Sequence, residues 1–205
     1  MRPVRVAFGL SLLACAILYG QQRGAPAGQP PPGARGGGGR GGVQVMTLST
    51  AAWPDGGQIP ARYTQAGDQD SPPFTWSNVP DGVASFVLIA HDIDTVAGSG
   101  TDDMLHWLLW NIPSSARNLA AGVPPLSQWP DGTRQISVSG PYYRGPGAAA
   151  AGPAHHYVFE LFALDTALDV PPGGASPPLT RAAVLAAMAG HVRGKAGYVG
   201  LFRRP

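Results

Sequence analysis

Two apolar runs, Phe86–Ala90 and Leu105–Ile112, constrain the fold more than any other feature of this chain. Each is long enough for a buried strand and too short to be read as a helix. Each also carries polar groups that a plain core strand would lack. Asp92 and Asp94 stand at the end of the first run and His106 near the start of the second, with a Gly/Ser/Asp loop between them. Neighbouring strands joined by such a loop would bring those polar ends to one rim. Strand alternation puts His106, Leu108, Trp110 and Ile112 on one face, and the two aspartates together on one face. Singly, each aspartate reads as a strand end and the histidine as a satisfied core residue. Together they are costly to bury unless they pair or serve a ligand.

The remaining strand candidates are Val43–Ser49, Phe74–Ser77, Gln135–Ser139, Tyr157–Asp165 and Gly197–Arg203, and the first core strand extends to Ser85–Asp92. Turn clusters at 54–57, 79–82 and 129–132, each containing Pro-Asp-Gly, separate them. One helix is expected, with Thr180 as N-cap of Arg181–Ala189, Gly190 at its stop, and Val184, Leu185 and Met188 facing the core. Many short strands with little helix between them predict a mainly β fold, a two-sheet antiparallel β-sandwich with a short helix near the C-terminus.

Ahead of this domain the composition changes. Residues 1–20 read as an export signal: Arg2 and Arg5 precede the apolar stretch Val6–Leu13. Leu12-Leu13-Ala14-Cys15 resembles a bacterial lipoprotein processing site, which makes Cys15 a lipidation candidate. Cleavage near Gly20 and an uncleaved anchor are the alternatives. Residues 21–42, QQRGAPAGQPPPGARGGGGRGG, hold no aliphatic residue larger than alanine and read as a flexible linker. Residues 43–205 then form one domain, large enough to bury roughly 70% of its unfolded surface. Cys15 is the sole cysteine, so that domain contains no disulfide. The expected localisation is periplasmic or extracellular, with membrane contact only through the N-terminal anchor.

Of the 14 basic residues, five precede Val43, whereas all 12 acidic residues follow it. Nine basic against twelve acidic residues leave the domain at −3, although the whole chain is +2. The alkaline balance belongs to the leader and linker, and nucleic-acid binding by the domain is not expected.

A second polar cluster lies between Tyr142 and Asp165. Gly145, Gly147 and Gly152 make a loop whose backbone can approach a ligand closely. On the strand that follows, His155 and Tyr157 share one face and His156, Val158 and Glu160 the other.

The ordered set Asp92-Ile93-Asp94, His106-Trp107-Leu108-Leu109-Trp110-Asn111-Ile112-Pro113, Gly145-Pro146 and His155-His156-Tyr157 resembles the phosphatidylethanolamine-binding protein family, specifically its bacterial Raf-kinase-inhibitor-like members. Ser71-Pro72-Pro73-Phe74-Thr75-Trp76, Val79-Pro80-Asp81-Gly82, the segment 187–192 and Gly200-Leu201-Phe202-Arg203 extend the likeness over about residues 46–204. The resemblance implies a two-sheet sandwich with a small anion pocket at one edge, taking phosphate or phosphorylated headgroups. It places Asp92, His106, Gly145, His155 and Tyr157 in the pocket wall, with Asp94 and Pro146 as support. An imidazolium, a backbone N–H and a phenol all donate to oxyanions. The family's D-P-D-A-P appears here without its prolines, its double-proline loop is replaced by Gly145-Pro146-Gly147 and four alanines, and His156 stands at the usual arginine. Each missing proline frees φ, so a looser rim is expected.

The leading function is therefore a non-catalytic, exported binder of a small oxyanion or phosphorylated headgroup, without cofactor or metal. The alternative is a protein-docking regulator or inhibitor whose pocket is modulatory. A hydrolase using Asp/His chemistry ranks third, because the chain has neither a G-x-S-x-G elbow nor H-E-x-x-H.

Overall fold

The computed structural model describes residues 42–98 and 100–205. The leader, Cys15, most of the linker and Ser99 lie outside the described residues. Four long strands form the centre of the main sheet: β5 (Ser85–Ala97), β6 (Asp102–Pro113), β9 (His155–Leu164) and β10 (Val192–Phe202). Its order is β1-β10-β9-β5-β6-β8, where β1 is Gln44–Val45 and β8 is Arg134–Ile136. A further short strand, β3 (Gly57–Gln58), also pairs with β10. The second sheet has order β2-β4-β7, from Thr47–Ser49, Phe74–Ser77 and Asn118–Leu119.

The mainly β, two-sheet expectation matches this architecture, with local differences. The long strands are antiparallel, but β1 and β3 run parallel to β10. The expected single strand Val43–Ser49 is two strands: Gln44–Val45 joins the main sheet and Thr47–Ser49 joins the second.

The main sheet is covered on both faces, which explains why its central strands read as continuous apolar runs. One face meets the second sheet in a cluster that includes Leu48, Phe74, Trp76, Phe86, Trp107, Phe159 and Tyr198. The other packs Val87, Ile89, Leu108 and Trp110 against Val184 and Met188 of helix α1 (Pro177–Met188). Two of the large core rings have their polar atoms satisfied, whereas the buried Trp76 Nε1 has no partner among the described residues. Trp107 Nε1 donates to Gln135 Oε1 at 2.9 Å, and Trp110 Nε1 to the Val170 carbonyl at 2.9 Å.

The helix begins earlier than its sequence signals suggest. Ser176, not Thr180, is its N-cap, and Pro177 and Pro178 occupy the opening turn, where a missing N–H costs no intrahelical bond. Thr180 is buried within the helix, and Leu185 is 43% exposed instead of facing the core with Val184 and Met188. Gly190, at φ +84°, ends the helix as expected. Among the described residues, no helix is long and apolar enough to cross a membrane.

Strand alternation fails in β6. His91 pairs with Leu105 and Ala90 with Trp107, so His106 is an extra residue in a bulge. A second irregularity falls at Asn111, which has φ +57°. Leu108 and Trp110 consequently face the helix, Ile112 faces the second sheet, and the four residues expected on one face are divided. On β5, Ile93–Thr95 bulge out between the pairs Asp92–Met104 and Val96–Asp103. These two bulges lie side by side and shape the sheet's rim.

Candidate functional site

The rim holds a cavity of about 240 Å³ lined by Asp92, Thr95, His106, Arg144, His155 and Tyr157, with Gln65, Met104 and residues 147–149 completing it. Asp92, on β5, pairs across the sheet with Tyr157 on β9. The β6 bulge turns His106 edge-on to the Tyr157 ring, with centroids 5.1 Å apart and planes at 87°. Thus three residues separated by as many as 65 positions meet through pairing and one extra residue.

Asp92 is 2% exposed, and its carboxylate is well supplied with donors. Oδ2 accepts from Thr95 Oγ1 and from His155 Nδ1, each at 2.9 Å, and Oδ1 accepts from the Asp94 backbone N–H at 3.0 Å. A buried carboxylate is tolerated when it is bonded in this way. The Tyr157 oxygen accepts N–H groups of Gly147 and Ala148 at 3.2 and 3.1 Å. Burial and the neighbouring Asp92 charge push the phenol up to about 12, so it keeps its proton for donation at neutral pH. His106 Nδ1 lies 2.7 Å from the Arg144 carbonyl. Burial pulls the His106 pKa below its ordinary value, against the opposing effects of that bond and of Asp92.

Asp94 diverges from Asp92 and does not line the cavity. Its Oδ2 accepts the His156 backbone N–H at 2.6 Å and the His156 ring Nδ1 at 2.8 Å. Those bonds hold its carboxyl below the usual carboxylate range and brace the β5 bulge against β9. Both His156 and Asp94 are on the exposed side of the rim.

Gly145 and Pro146 stand behind the wall. A Cβ on Gly145 would meet the Thr64 backbone at 2.9 Å, so only glycine permits this approach. Gln65 ties the loop twice, its Nε2 donating to the Gly145 carbonyl at 2.8 Å and its backbone N–H to the Pro146 carbonyl at 2.9 Å. The Arg204 N–H adds a bond to the Ala148 carbonyl at 3.1 Å. Hydrogen bonds thereby supply restraint where the loop lacks a second proline.

Sequence reasoning missed Gln65, Thr95, Met104 and Arg144 as lining residues. Gln65 gave no signal, being an ordinary residue far from the motifs, and Met104, two residues before His106, reads as a plain strand residue. Thr95 stood within reach, since a hydroxyl three residues after a buried aspartate can satisfy it.

A larger cleft of about 390 Å³ lies between β5, β6 and α1. Of its charged groups Asp102, Asp103 and Arg181, the last two already pair with each other, which leaves it a weaker candidate. Among the described residues, no group of three or more His, Cys, Asp or Glu side chains is placed to hold a metal ion.

Two packed sheets, a helix covering one face of the main sheet and a polar cavity at the sheet rim define the class: a mainly β sandwich with a candidate site at its edge. The chain belongs to the phosphatidylethanolamine-binding protein family, whose description matches residues 49–203. A UPF0098 protein of Methanothermobacter thermautotrophicus is 42% identical over 161 residues, covering 78% of this chain and 99% of its own. The Mycobacterium tuberculosis protein named "Putative lipoprotein LppC" is 33% identical over 162 residues, 78% of this chain and 73% of that one. Among solved structures, the Chlamydia trachomatis homologue CT736 superposes with a TM-score of 0.65 at 29% identity, over 80% of this chain and all of that one.

Proposed function

We propose that this chain is an exported, non-catalytic binding protein whose rim cavity takes phosphate or a phosphorylated headgroup. The observation that carries this reading is the convergence of His106, Arg144, His155 and Tyr157 around one 240 Å³ cavity, with Asp92 already satisfied by its own donors. Arg144 and Tyr157 carry donors there, and each histidine adds one when its Nε2 is protonated. The volume falls below the roughly 300–1,000 Å³ of cavities for drug-sized ligands, which suits a small oxyanion.

A hydrolytic role fits less well. The one aliphatic alcohol in the wall, Thr95, donates to Asp92 and sits 3.4 Å from His155 Nδ1, a nitrogen that itself donates to Asp92. That nitrogen has no lone pair with which to activate the hydroxyl.

The leader and Cys15 support export and anchoring, as does the lipoprotein name of the mycobacterial relative. Calorimetry of the full chain with phosphate and glycerophosphoethanolamine, alongside zinc and a generic ester as controls, tests the proposal. Saturable binding of the oxyanions alone is expected. Absence of oxyanion binding at millimolar concentration, or turnover of the ester, would reject it.

A further inference from the structure

His106 is 3% exposed and lines the cavity, yet its Nε2 has no hydrogen-bond partner among the described residues. The other ring nitrogen fixes the tautomer. Nδ1 lies 2.7 Å from the Arg144 carbonyl, and a carbonyl oxygen only accepts, so Nδ1 carries the proton. A neutral His106 therefore keeps an unshared lone pair at Nε2. An oxyanion also presents lone pairs, and two acceptors facing each other in a buried site repel.

The surrounding charges come from several elements. Asp92 on β5 favours the protonated ring, Arg144 on the loop before β9 opposes it, and Tyr157 and His155 face it from β9. Burial outweighs them and lowers the ring's pKa below the ordinary histidine value, which favours the neutral form.

We propose that oxyanion binding in this cavity is coupled to a proton placed at His106 Nε2. The inference rests on the anion-binding reading above. The proton passes from solvent to the Nε2 lone pair, or arrives on the ligand as an O–H directed at Nε2. In either case the complex holds one proton more than the free protein and the fully ionised ligand. The preferred ligand class is then a phosphate monoester, which titrates near neutral pH and can bring its own proton. A permanently ionised sulfate or sulfonate must recruit one from water.

Sulfate is therefore the discriminating probe. The full chain, labelled with nitrogen-15 in its histidines, is titrated with sulfate roughly one pH unit above the ordinary histidine value. The His106 signals are identified by their loss in His106→Gln, or by their proximity to the Tyr157 ring if that variant does not fold. The Nε2 resonance is expected to move from its lone-pair position to its N–H position as sulfate saturates. Sulfate affinity is expected to include a component falling about tenfold per pH unit, absent from His106→Gln. Sulfate saturation with Nε2 still unprotonated would overturn the coupling and leave the anion-binding reading standing. So would an Nε2 already protonated in the free protein. Failure of both sulfate and phosphate to bind would overturn both.

Discussion

His155 Nδ1 lies 2.9 Å from Asp92 Oδ2, although the residues are 63 positions apart in the chain. Asp92 pairs with Tyr157 across β5 and β9, and His155 stands two residues before Tyr157 on the same face. The carboxylate fixes the imidazole's tautomer and leaves its Nε2 turned away from Asp92. His156, one residue on, points to the opposite side and engages Asp94.

That contrast predicts unequal effects on binding. A charge-assisted donor contributes about 1.5–3 kcal/mol, so His155→Ala should weaken phosphate binding roughly ten- to a hundredfold. His156→Ala retains the backbone N–H to Asp94 and should leave affinity nearly unchanged. Calorimetry on the two variants distinguishes them; equal losses would contradict the pocket geometry.

The loop behind the wall gives a stability prediction. In Gly145→Ala the new methyl meets backbone, which cannot swing aside, whereas in Gly147→Ala it meets the end of the Gln65 side chain. Overpacking against backbone costs about 1–3 kcal/mol, and each kcal/mol moves a domain of this size by about 2–4 °C. Thermal unfolding should show Gly145→Ala several degrees lower than the parent and Gly147→Ala less affected. The reverse order would argue against the loop path.

A second histidine sets a pH window for stability. His91 bonds Asp103, which also pairs with Arg181, and lies 3.3 Å from Glu160, which pairs with Lys195 at 2.6 Å. Burial opposes charge on His91, but its ion pairs with Glu160 and Asp103 prevail and raise its pKa above 6.5. The proximity of His91, aided by Lys195, lowers Glu160 from 4.5 to about 2. The histidine's contribution is complete below 6.5 and is lost as pH rises through its raised folded value. The carboxylate's contribution is present above 4.5 and is lost as pH falls through about 2. This network's contribution to the melting temperature should therefore be highest between about 4.5 and 6.5, and His91→Gln should flatten the decline on the alkaline side. An unchanged alkaline slope in that variant would count against the network.

Cys15 supplies a prediction about location. If the leader is processed as in lipoproteins, Cys15→Ser should move the protein from the membrane fraction to the soluble exported fraction. Membrane retention of the variant would reject lipidation and leave export by another signal.

Apolar patterning alone specified the mainly β fold, because runs such as Phe86–Ala90 can be buried only between two covering layers. Ordered motifs spread along the chain specified the family. Parity on β9 was legible too, since that strand keeps strict alternation from His155 to Ala163 in its burial. What alternation could not reach were the places where it breaks. The extra residue at His106 and the three-residue bulge at Ile93–Thr95 depend on how β5 and β6 register against each other, which no local pattern encodes. The same holds for Gln65, which reaches the pocket only because its loop folds beneath Gly145. Local propensity and periodicity settle which residues are buried. Long-range pairing settles which buried polar atoms meet, and so decided that Asp92 would face His155 and that His106 Nε2 would be left without a partner among the described residues.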